Sequence, residues 1–289
     1  MDLDQNRLAH ALALSGTRAA TPMLVRRGGI SAAKSIANAL VAQSGVEAAL
    51  LAEQGVTGPL AIVEHEHGLR SVFPNGDPLT VLTAPLTERS YIMDSNVKAY
   101  PCVATGQAAV ATAIKLHKML NGMVNDVIRI EVAMADYPSV RRQQQDAGRT
   151  HPTSRESADH SFQFLVASAL TDGTFGAAQF DNERWHDPAT VALMERIVMS
   201  TDASLNERAP GTYPCAIRAI DKGGRTHAAE ILFPPGYSHG GIKENEVVDK
   251  FHAITASVLD QGRRDRIVAA ALAFDRAATA ETLTAAIGA

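Results

Sequence analysis

The stretch "CAIRAIDKGGRTHAAEILF", residues 215–233, decides the fold class of this chain. Two apolar runs flank Asp221-Lys222-Gly223-Gly224, and turn residues between two such runs predict a β-hairpin. A second stretch, "VIRIEVAM", alternates apolar and other residues as a strand does. Its predicted inward face consists of Ile128, Ile130, Val132 and Met134. The middle of the chain therefore contains a β-sheet.

Helical patterns lie on both sides of these strand signals and between them. Ala and Leu recur at helical spacing in Asn6–Ala20 and in Ala32–Gln54, with Gly55 as a stop signal. Glu244–Ala289 has the same periodicity. Between the strand and the hairpin, two helices are predicted. One begins with a capping box formed by Thr153 and Glu156, and the other begins at Asp187-Pro188. Pro and Gly in residues 68–85 predict a loop.

These patterns predict an α+β fold with two domains. Residues 1–92 and 240–289 form a discontinuous, all-helical domain, and residues 93–239 form an α+β domain inserted between its two parts. We expect the region Met1–Ser90 to pack against Glu244–Ala289.

Composition excludes several classes of partner. The 289 residues carry a formal net charge of −4 with no Lys/Arg-rich run, which argues against nucleic acid. The absence of an 18-residue apolar stretch and of a signal-peptide pattern predicts a cytoplasmic protein with no membrane contact. Cys102 and Cys215, each in a Tyr-Pro-Cys tripeptide, are predicted to be buried free thiols.

The sequence "EHEHG" (Glu64–Gly68) contains two His one residue apart, which could ligate a metal ion on a strand. No third cluster of metal ligands lies nearby in the sequence. We therefore predict a polar loop here and no metal site.

Three segments together resemble the MmgE/PrpD family, which includes 2-methylcitrate dehydratases and cis-aconitate decarboxylases. They are "SRESADHSFQFLVASALTDG" (154–173), "KAYPCVATGQAAVATA" (98–113) and "SAAKSIANALVAQSGVEAALLAEQGVTGP" (31–59). Members of that family are longer, and much of their N-terminal helical region has no counterpart here. The resemblance therefore implies a partial helical domain, and a homodimer or a partner chain that supplies the absent helices.

The family implies a di- or tricarboxylate substrate, from which a proton, water or CO₂ leaves beside a carboxylate, without a metal or organic cofactor. The activity implied first is that of a carbon–oxygen lyase (hydro-lyase) most like 2-methylcitrate dehydratase. The alternatives are a cis-aconitate-type decarboxylase or an epimerase, and a non-catalytic or complementing subunit of a split enzyme. We expect the isolated chain to bind a polycarboxylate weakly and to dehydrate it slowly or not at all.

Two lysines fall on the positions of the family's active-site lysines. Lys34 is the one charged residue between Arg27 and Glu47, and it either takes that role or extends its stem along the helix to solvent. Lys98 is expected to bind a carboxylate. The resemblance predicts that Lys34 and Lys98 face a common cleft.

Four further residues complete the predicted site. Gln107 either donates to the substrate or faces solvent from a helix, and Arg155 contributes to a polar, substrate-binding wall. His160 is either a proton carrier or half of a buried hydrogen-bonded pair with Asp159 that orients the domains. Tyr137 matches a possible active-site tyrosine of the family.

Overall fold

The chain divides into two units, Met1–Ser90 and Tyr91–Ala289, in the computed structural model. The structure describes residues 1–18, 22–27, 30–72, 94–237, 243–277 and 279–288. Helices dominate both units, and the second unit adds a four-stranded mixed sheet. The predicted α+β class is confirmed.

The first unit is built on two alanine-rich helices, α1 (Gln5–Gly16) and α2 (Ala33–Glu53). The Asp4 side chain caps α1, and Gly55 follows α2 with a φ of +89°, as its stop signal predicted. Small side chains let the two helices approach closely, and the buried residues of the pair are Ala11, Ala13, Ala37, Ala48 and Ala52.

The segment after α2 is held against α1 by a glycine that no other residue could replace without a shift. A Cβ on Gly58 would lie 2.8 Å from the Leu14 nitrogen and 2.9 Å from Ala13 Cβ. The Gly58 N–H also donates to His10 Nδ1 at 3.3 Å. The loop predicted for residues 68–85 contains a short helix, α3 (Leu69–Val72), and residues 73–85 lie outside the described residues.

Four strands form the sheet of the second unit, in the order β2-β1-β3-β4. They are β1 (Val127–Ala135), β2 (Ile197–Asp202), β3 (Cys215–Asp221) and β4 (Thr226–Ile231). β1 pairs in parallel with β2 and antiparallel with β3, and β3 and β4 form the hairpin that the opening sequence predicted. β2 was not predicted, because its residues, Ile-Val-Met-Ser-Thr-Asp, do not alternate between apolar and polar although their burial does.

One residue of the predicted inward face of β1 lies on the other side. Ile130, Val132 and Met134 are fully buried, but the Ile128 side chain is 52% exposed. The pairing with β3 shifts register between Val127 and Arg129, so a bulge reverses the alternation at the start of the strand. Val127, rather than Ile128, therefore enters the core.

Helices cover the sheet and surround it. In chain order they are α4 (Gln107–Leu120), α5 (Pro138–Gln144), α6 (Ala147–Thr150), α7 (Arg155–Ala158), α8 (Phe162–Asp172), α9 (Pro188–Met194) and α10 (Ala203–Arg208). α4 packs on β3, β4 and α8, and these contacts enclose the hydrophobic core. Its largest fully buried side chains include Leu116, Leu120, Phe162, Phe164 and Leu165.

Of the two helix starts predicted in this unit, one is confirmed and the other is wrong. Asp187 caps α9 through Thr190, and Pro188 is its first residue, as predicted. The predicted capping box of Thr153 and Glu156 is wrong. Ser154 and Ser157 form the box instead, and it opens only the single turn of α7. The long helix α8 starts later, where the Ser161 hydroxyl caps the Phe164 N–H.

A glycine ends α8 where the chain must turn beside α4. Gly173 has a φ of +67°, and the His117 ring lies so close that a side chain at this position would collide with it. His117 Nδ1 in turn contacts the Leu170 carbonyl at 2.7 Å. The Asp-Gly turn at the end of the segment 154–173 therefore locks α8 to α4.

The C-terminal region is helical, as its periodicity predicted. It contains α11 (Glu244–Thr255), α12 (Gln261–Leu272) and α13 (Glu281–Gly288). The division into residues 1–92 with 240–289 and residues 93–239 stays a prediction, as does the packing of the two terminal regions.

By length and composition alone, α2 could cross a membrane. Its 21 residues include Lys34, Asn38, Gln43 and Glu47, and Arg18 donates to the Glu47 carboxylate at 2.8 Å. A helix that packs against other protein segments can have the same length and apolar composition.

The turn of the β-hairpin predicts a pH-dependent contribution to stability. Asp221 is buried and accepts from the Gly223 and Arg225 main chain and from the side chains of Arg225 and His227. The hydrogen bond from His227, followed by those from Arg225, lowers the pKa of Asp221 to about 2. Asp in an unfolded chain has a pKa of about 3.9.

We expect Asp221→Asn to lower the urea midpoint of unfolding at pH 7, because the hairpin loses a charged acceptor. The native carboxylate stabilises fully above about pH 4, and that contribution disappears as the pH falls toward about 2. The difference between wild type and variant should therefore shrink over this range. Asp126→Asn is the control, since Asp126 is exposed and pairs only at the surface with Lys222. Equal effects of the two substitutions would contradict the prediction.

Candidate active site

The loop Lys98–Cys102, which we call the lysine loop, is anchored by several elements of the second unit. Val97 donates to the Gly236 carbonyl at 2.9 Å just before the loop. Gly236 has a φ of +81° and touches the Val97 carbonyl so closely that a side chain would collide with it. Lys250 from α11 donates to the Lys98 carbonyl at 2.6 Å. The main chain is thereby fixed while the Lys98 side chain remains exposed.

Gln107, the first residue of α4, holds the other half of the lysine loop. Its Oε1 accepts from the Tyr100 N–H at 3.0 Å, and its Nε2 donates to the Tyr100 carbonyl at 3.0 Å. Nε2 also lies 3.1 Å from Cys102 Sγ. The residue is fully buried, so the alternative of a solvent-facing amide is wrong. Its amide satisfies the polar groups of the loop, and contact with a substrate stays a prediction.

Asp159 and His160 lie beside the lysine loop. Val103, immediately after the loop, donates to the Asp159 carbonyl at 2.9 Å. The His160 ring bonds to the Asp159 carboxylate through Nδ1, which also lies 3.1 Å from the Glu156 carbonyl. Both side chains are largely buried, at 9% and 18% exposure for His160 and Asp159. The hydrogen-bonded pair is therefore present, and the role of His160 as a proton carrier stays a prediction.

A buried arginine adds a cation that the sequence analysis did not assign to the site. The Arg149 side chain is 9% exposed and pairs with Asp146 at 3.2 Å. Burial lowers the pKa of Arg149, while Asp146 and, more weakly, Asp159 oppose that shift. Arg149 begins the stretch RTHPTSRESADH, residues 149–160, whose density of charges was the available signal.

Burial and two nearby charges, those of Lys98 and Asp159, affect the pKa of the Cys102 thiol. Burial raises the pKa of Cys102 to about 12, with Lys98 lowering it and Asp159 raising it. Cys215 is also buried, and burial raises its pKa to about 12. Both cysteines are free and buried, as predicted. Neither has the thiolate character that a nucleophile needs.

Tyr137 packs against Tyr213, and a third tyrosine, Tyr237, contacts the chain just after the lysine loop. The Tyr137 ring packs edge-on against Tyr213 with the centroids 5.6 Å apart, and its hydroxyl accepts from the Gly211 N–H at 3.3 Å. Tyr237 donates to the Ala104 carbonyl at 3.1 Å, just beyond the loop. Burial, with Tyr213 and Cys102 nearby, raises the pKa of Tyr237 to about 12. Tyr137 thus contacts Tyr213 and the Gly211 main chain, and its role in the site stays a prediction.

Arg155 and Lys34 are the remaining residues of the predicted site. The exposed Arg155 guanidinium stacks over the Phe180 ring, 4.7 Å from its centroid. This contact orients the start of α7, while Asp159 follows the end of the same turn. Lys34 is half-buried near the start of α2 in the first unit. The common cleft of Lys34 and Lys98 stays a prediction.

The "EHEHG" segment is a polar turn, as predicted, with exposed side chains at Glu64, His65, Glu66 and His67. Within the described part of the chain, no group of three or more His, Cys, Asp or Glu residues is arranged to hold a metal ion.

Comparison with protein families assigns both units. The MmgE/PrpD N-terminal domain matches residues 1–82, and the MmgE/PrpD C-terminal domain matches residues 100–275. Together the two matches cover most of the chain. This chain belongs to the MmgE/PrpD family.

Similar curated proteins carry one activity in their names. Cis-aconitate decarboxylases of Homo sapiens and Mus musculus are 22% and 23% identical over 270 and 265 residues, which is 90% of this chain in each case. A cis-aconitate decarboxylase-like protein of Aspergillus oryzae is 22% identical over 280 residues. The matches cover 53%, 52% and 57% of those proteins, so the chain spans about half their length.

The buried amide of Gln107 gives a direct test of how the lysine loop is held. Gln107→Leu keeps the side chain's size but leaves the Tyr100 N–H and carbonyl without partners, at a cost of about 1–3 kcal/mol in the free energy of unfolding. We expect faster hydrogen exchange at the Tyr100 amide and a lower denaturation midpoint. Gln145→Leu, at an exposed position after α5, is the control. Unchanged hydrogen exchange at the Tyr100 amide in Gln107→Leu would contradict the conclusion that Gln107 holds the lysine loop.

Proposed function

We propose that this chain acts as a lyase of the MmgE/PrpD type on a di- or tricarboxylate, with cis-aconitate as the first substrate to test. The observation that carries the proposal is the grouping of the lysine loop with the Asp159–His160 pair. Both lie in the two segments, 98–113 and 154–173, that first suggested the family. The names of the three similar proteins support decarboxylation over dehydration.

The electrostatics of this grouping suit an anionic substrate. Lys98 presents an exposed ammonium group on a main chain fixed by Gly236, Lys250 and Gln107. A cation on a fixed main chain is already near the place where a carboxylate would bind, and its attraction persists as negative charge develops during the reaction. We assign Lys98 to carboxylate binding. Lys34 is proposed as the second cation of the same site, by its match to the family's lysine.

Decarboxylation requires one bond to break and one proton to arrive. The C–C bond to the departing carboxylate breaks, CO₂ leaves, and the electron pair spreads over the adjacent unsaturated carbons. A proton donor must then protonate carbon. We propose His160 as that donor, because the hydrogen bond of its Nδ1 to the Asp159 carboxylate fixes the orientation of the ring. Tyr137 is the second proposed donor.

Dehydration of 2-methylcitrate is the other reaction that the family includes. It would need a base for a C–H proton and an acid for the departing hydroxyl. Gln107 would favour this reaction if its amide donated to a substrate hydroxyl. Its amide is instead occupied by Tyr100 and Cys102, so we place dehydration second. Arg155 contributes through the Phe180 stack by orienting α7, and we propose it as a positioning residue.

We also propose that the active form is an assembly, either a homodimer or a pair with a chain that carries further family helices. The support is the apolar surface of the first unit. Its exposed side chains include Leu12, Ile36, Leu40, Val41 and Val46, each more than half exposed. A cytoplasmic location is part of the proposal, because two free thiols suit a reducing compartment.

Substitution of Lys98 tests the proposed site. Removing one preorganised donor to a developing charge typically lowers the rate by about 10²–10³-fold. We expect Lys98→Gln to lower kcat/KM for cis-aconitate by this factor, measured by proton NMR, which also resolves dehydration of 2-methylcitrate and citrate. Lys118→Gln, an exposed lysine on α4, is the control and should keep wild-type activity.

If the chain alone turns over too slowly to measure, binding of cis-aconitate by calorimetry replaces the rate. Lys98→Gln should then weaken binding while Lys118→Gln does not. Equal behaviour of the two variants, in either assay, would remove Lys98 from the site. Rapid dehydration without decarboxylation would overturn the choice of reaction.

The assembly has a separate test by light scattering over a range of concentrations. We expect wild type to have a mass above that of one chain, and Leu40→Lys to shift it toward the monomer, because a charge would enter an apolar interface. Lys118→Glu, in the second unit, is the control. A monomeric wild type at all concentrations would contradict the homodimer.

A further inference from the structure

The helix α11 borders the lysine loop at two positions of one of its faces. Lys250 Nζ donates to the Lys98 carbonyl at 2.6 Å, across 152 positions in the sequence. One turn earlier, Glu246 lies near enough to Tyr100 to help raise the pKa of its hydroxyl, after burial and Cys102. Positions 246 and 250 lie on the same face of a helix. That face therefore brings charged side chains to the loop that carries Lys98.

Lys250 keeps hydrogen-bond donors beyond the one that the loop uses. An ammonium group has three N–H donors, and one of them goes to the Lys98 carbonyl. Glu246, the acidic residue on the same face, forms its ion pair with Lys243 at 3.7 Å. Among the residues that the structure describes, no carboxylate pairs with Lys250. Its partly buried side chain therefore holds an ammonium group beside the loop with donors left for an acceptor.

Lys98 adds a second positive charge at the same place. Its side chain is exposed, and within the described part of the chain it too forms no ion pair. The four-carbon stem of a lysine is flexible, so the Lys98 ammonium group can turn toward the Lys250 ammonium group at its own main chain. Two positive charges close together repel each other, and an anion bound between them replaces that repulsion by attraction.

We infer that Lys250 is a further carboxylate-binding cation, and that Lys98 and Lys250 together select a molecule with two carboxylates over a molecule with one. Each ammonium group binds one carboxylate, and Lys250 does so without releasing the Lys98 carbonyl. This inference rests on the proposed function, which assigns Lys98 to carboxylate binding. It concerns affinity rather than reaction, so it can be tested with saturated acids, which lack the double bond of cis-aconitate.

Succinate and butyrate are matched probes, because both have four carbons and they differ by one carboxylate. Binding of each probe to the full chain is measured by titration with NMR detection. We expect wild type to bind succinate about ten-fold more tightly than butyrate. Lys250→Met keeps an apolar stem but removes the charge. It should weaken succinate binding about ten-fold and change butyrate binding by less than about two-fold.

Two variants control for changes other than the loss of this cation. Lys243→Met removes a lysine at the start of the same helix that is already paired with Glu246, and it should leave both affinities unchanged. Lys250→Arg keeps a charged donor and should retain most of the preference for succinate. If Lys250→Met fails to fold, Lys250→Gln replaces it with the same expected loss of preference.

A role of Lys250 in holding the lysine loop alone gives a different result. Lys250→Met then weakens succinate and butyrate binding by the same factor, and this outcome overturns the inference. A wild type without a preference for succinate overturns it as well. So does an equal loss of succinate binding in Lys243→Met.

The binding experiment is separable from the test of the proposed reaction. If wild type converts cis-aconitate and Lys250→Met keeps the preference for succinate, the inference fails and the proposed function stands. If the preference depends on Lys250 but wild type does not convert cis-aconitate, the inference stands and the proposed reaction fails.

Discussion

The hydrogen bonds of the Gln107 side chain to Tyr100 fix the part of the second unit on which the candidate site depends. An amide that both donates and accepts can satisfy both main-chain groups of one residue, which a hydroxyl or a carboxylate cannot do in the same geometry. Gln107 lies at the start of α4, and α4 packs on both the sheet and α8. The lysine loop is thereby attached to a helix of the hydrophobic core, and the position of the Lys98 main chain follows from that of α4.

Local patterns were sufficient for most of the helices and strands. The turn Asp221–Gly224, the cap at Asp187 and the stop at Gly55 each depend on a few adjacent residues, and each is present where the sequence predicted it. The errors have non-local causes. Ile128 leaves the core because a register shift against β3 intervenes. β2 alternates in burial, but its residues, Ile-Val-Met-Ser-Thr-Asp, do not alternate between apolar and polar.

The candidate site was only partly accessible from sequence. The resemblance pointed to segments 98–113 and 154–173, and the structure joins them through Val103 and Asp159. It could not reveal that the Gln107 amide points into the lysine loop rather than outward, because both orientations suit a residue at a helix start. Nor could it single out Arg149, since burial of an arginine is decided by tertiary packing rather than by its neighbours in sequence.

Most of the charged residues in the stretch 149–160 have an identified contact. Arg149 is buried against Asp146, Arg155 covers Phe180, and Asp159 pairs with His160. The groups that leave water, Arg149, Asp159 and His160, are therefore paired before the chain enters α8, where the buried side chains are almost all apolar. Because pairing offsets the cost of taking these charges out of water, the segment can end the polar cluster and begin the core within a few residues. The same short connection places His160 beside the lysine loop, so the packing requirement of α8 and the chemistry proposed for the site are met by one stretch of chain.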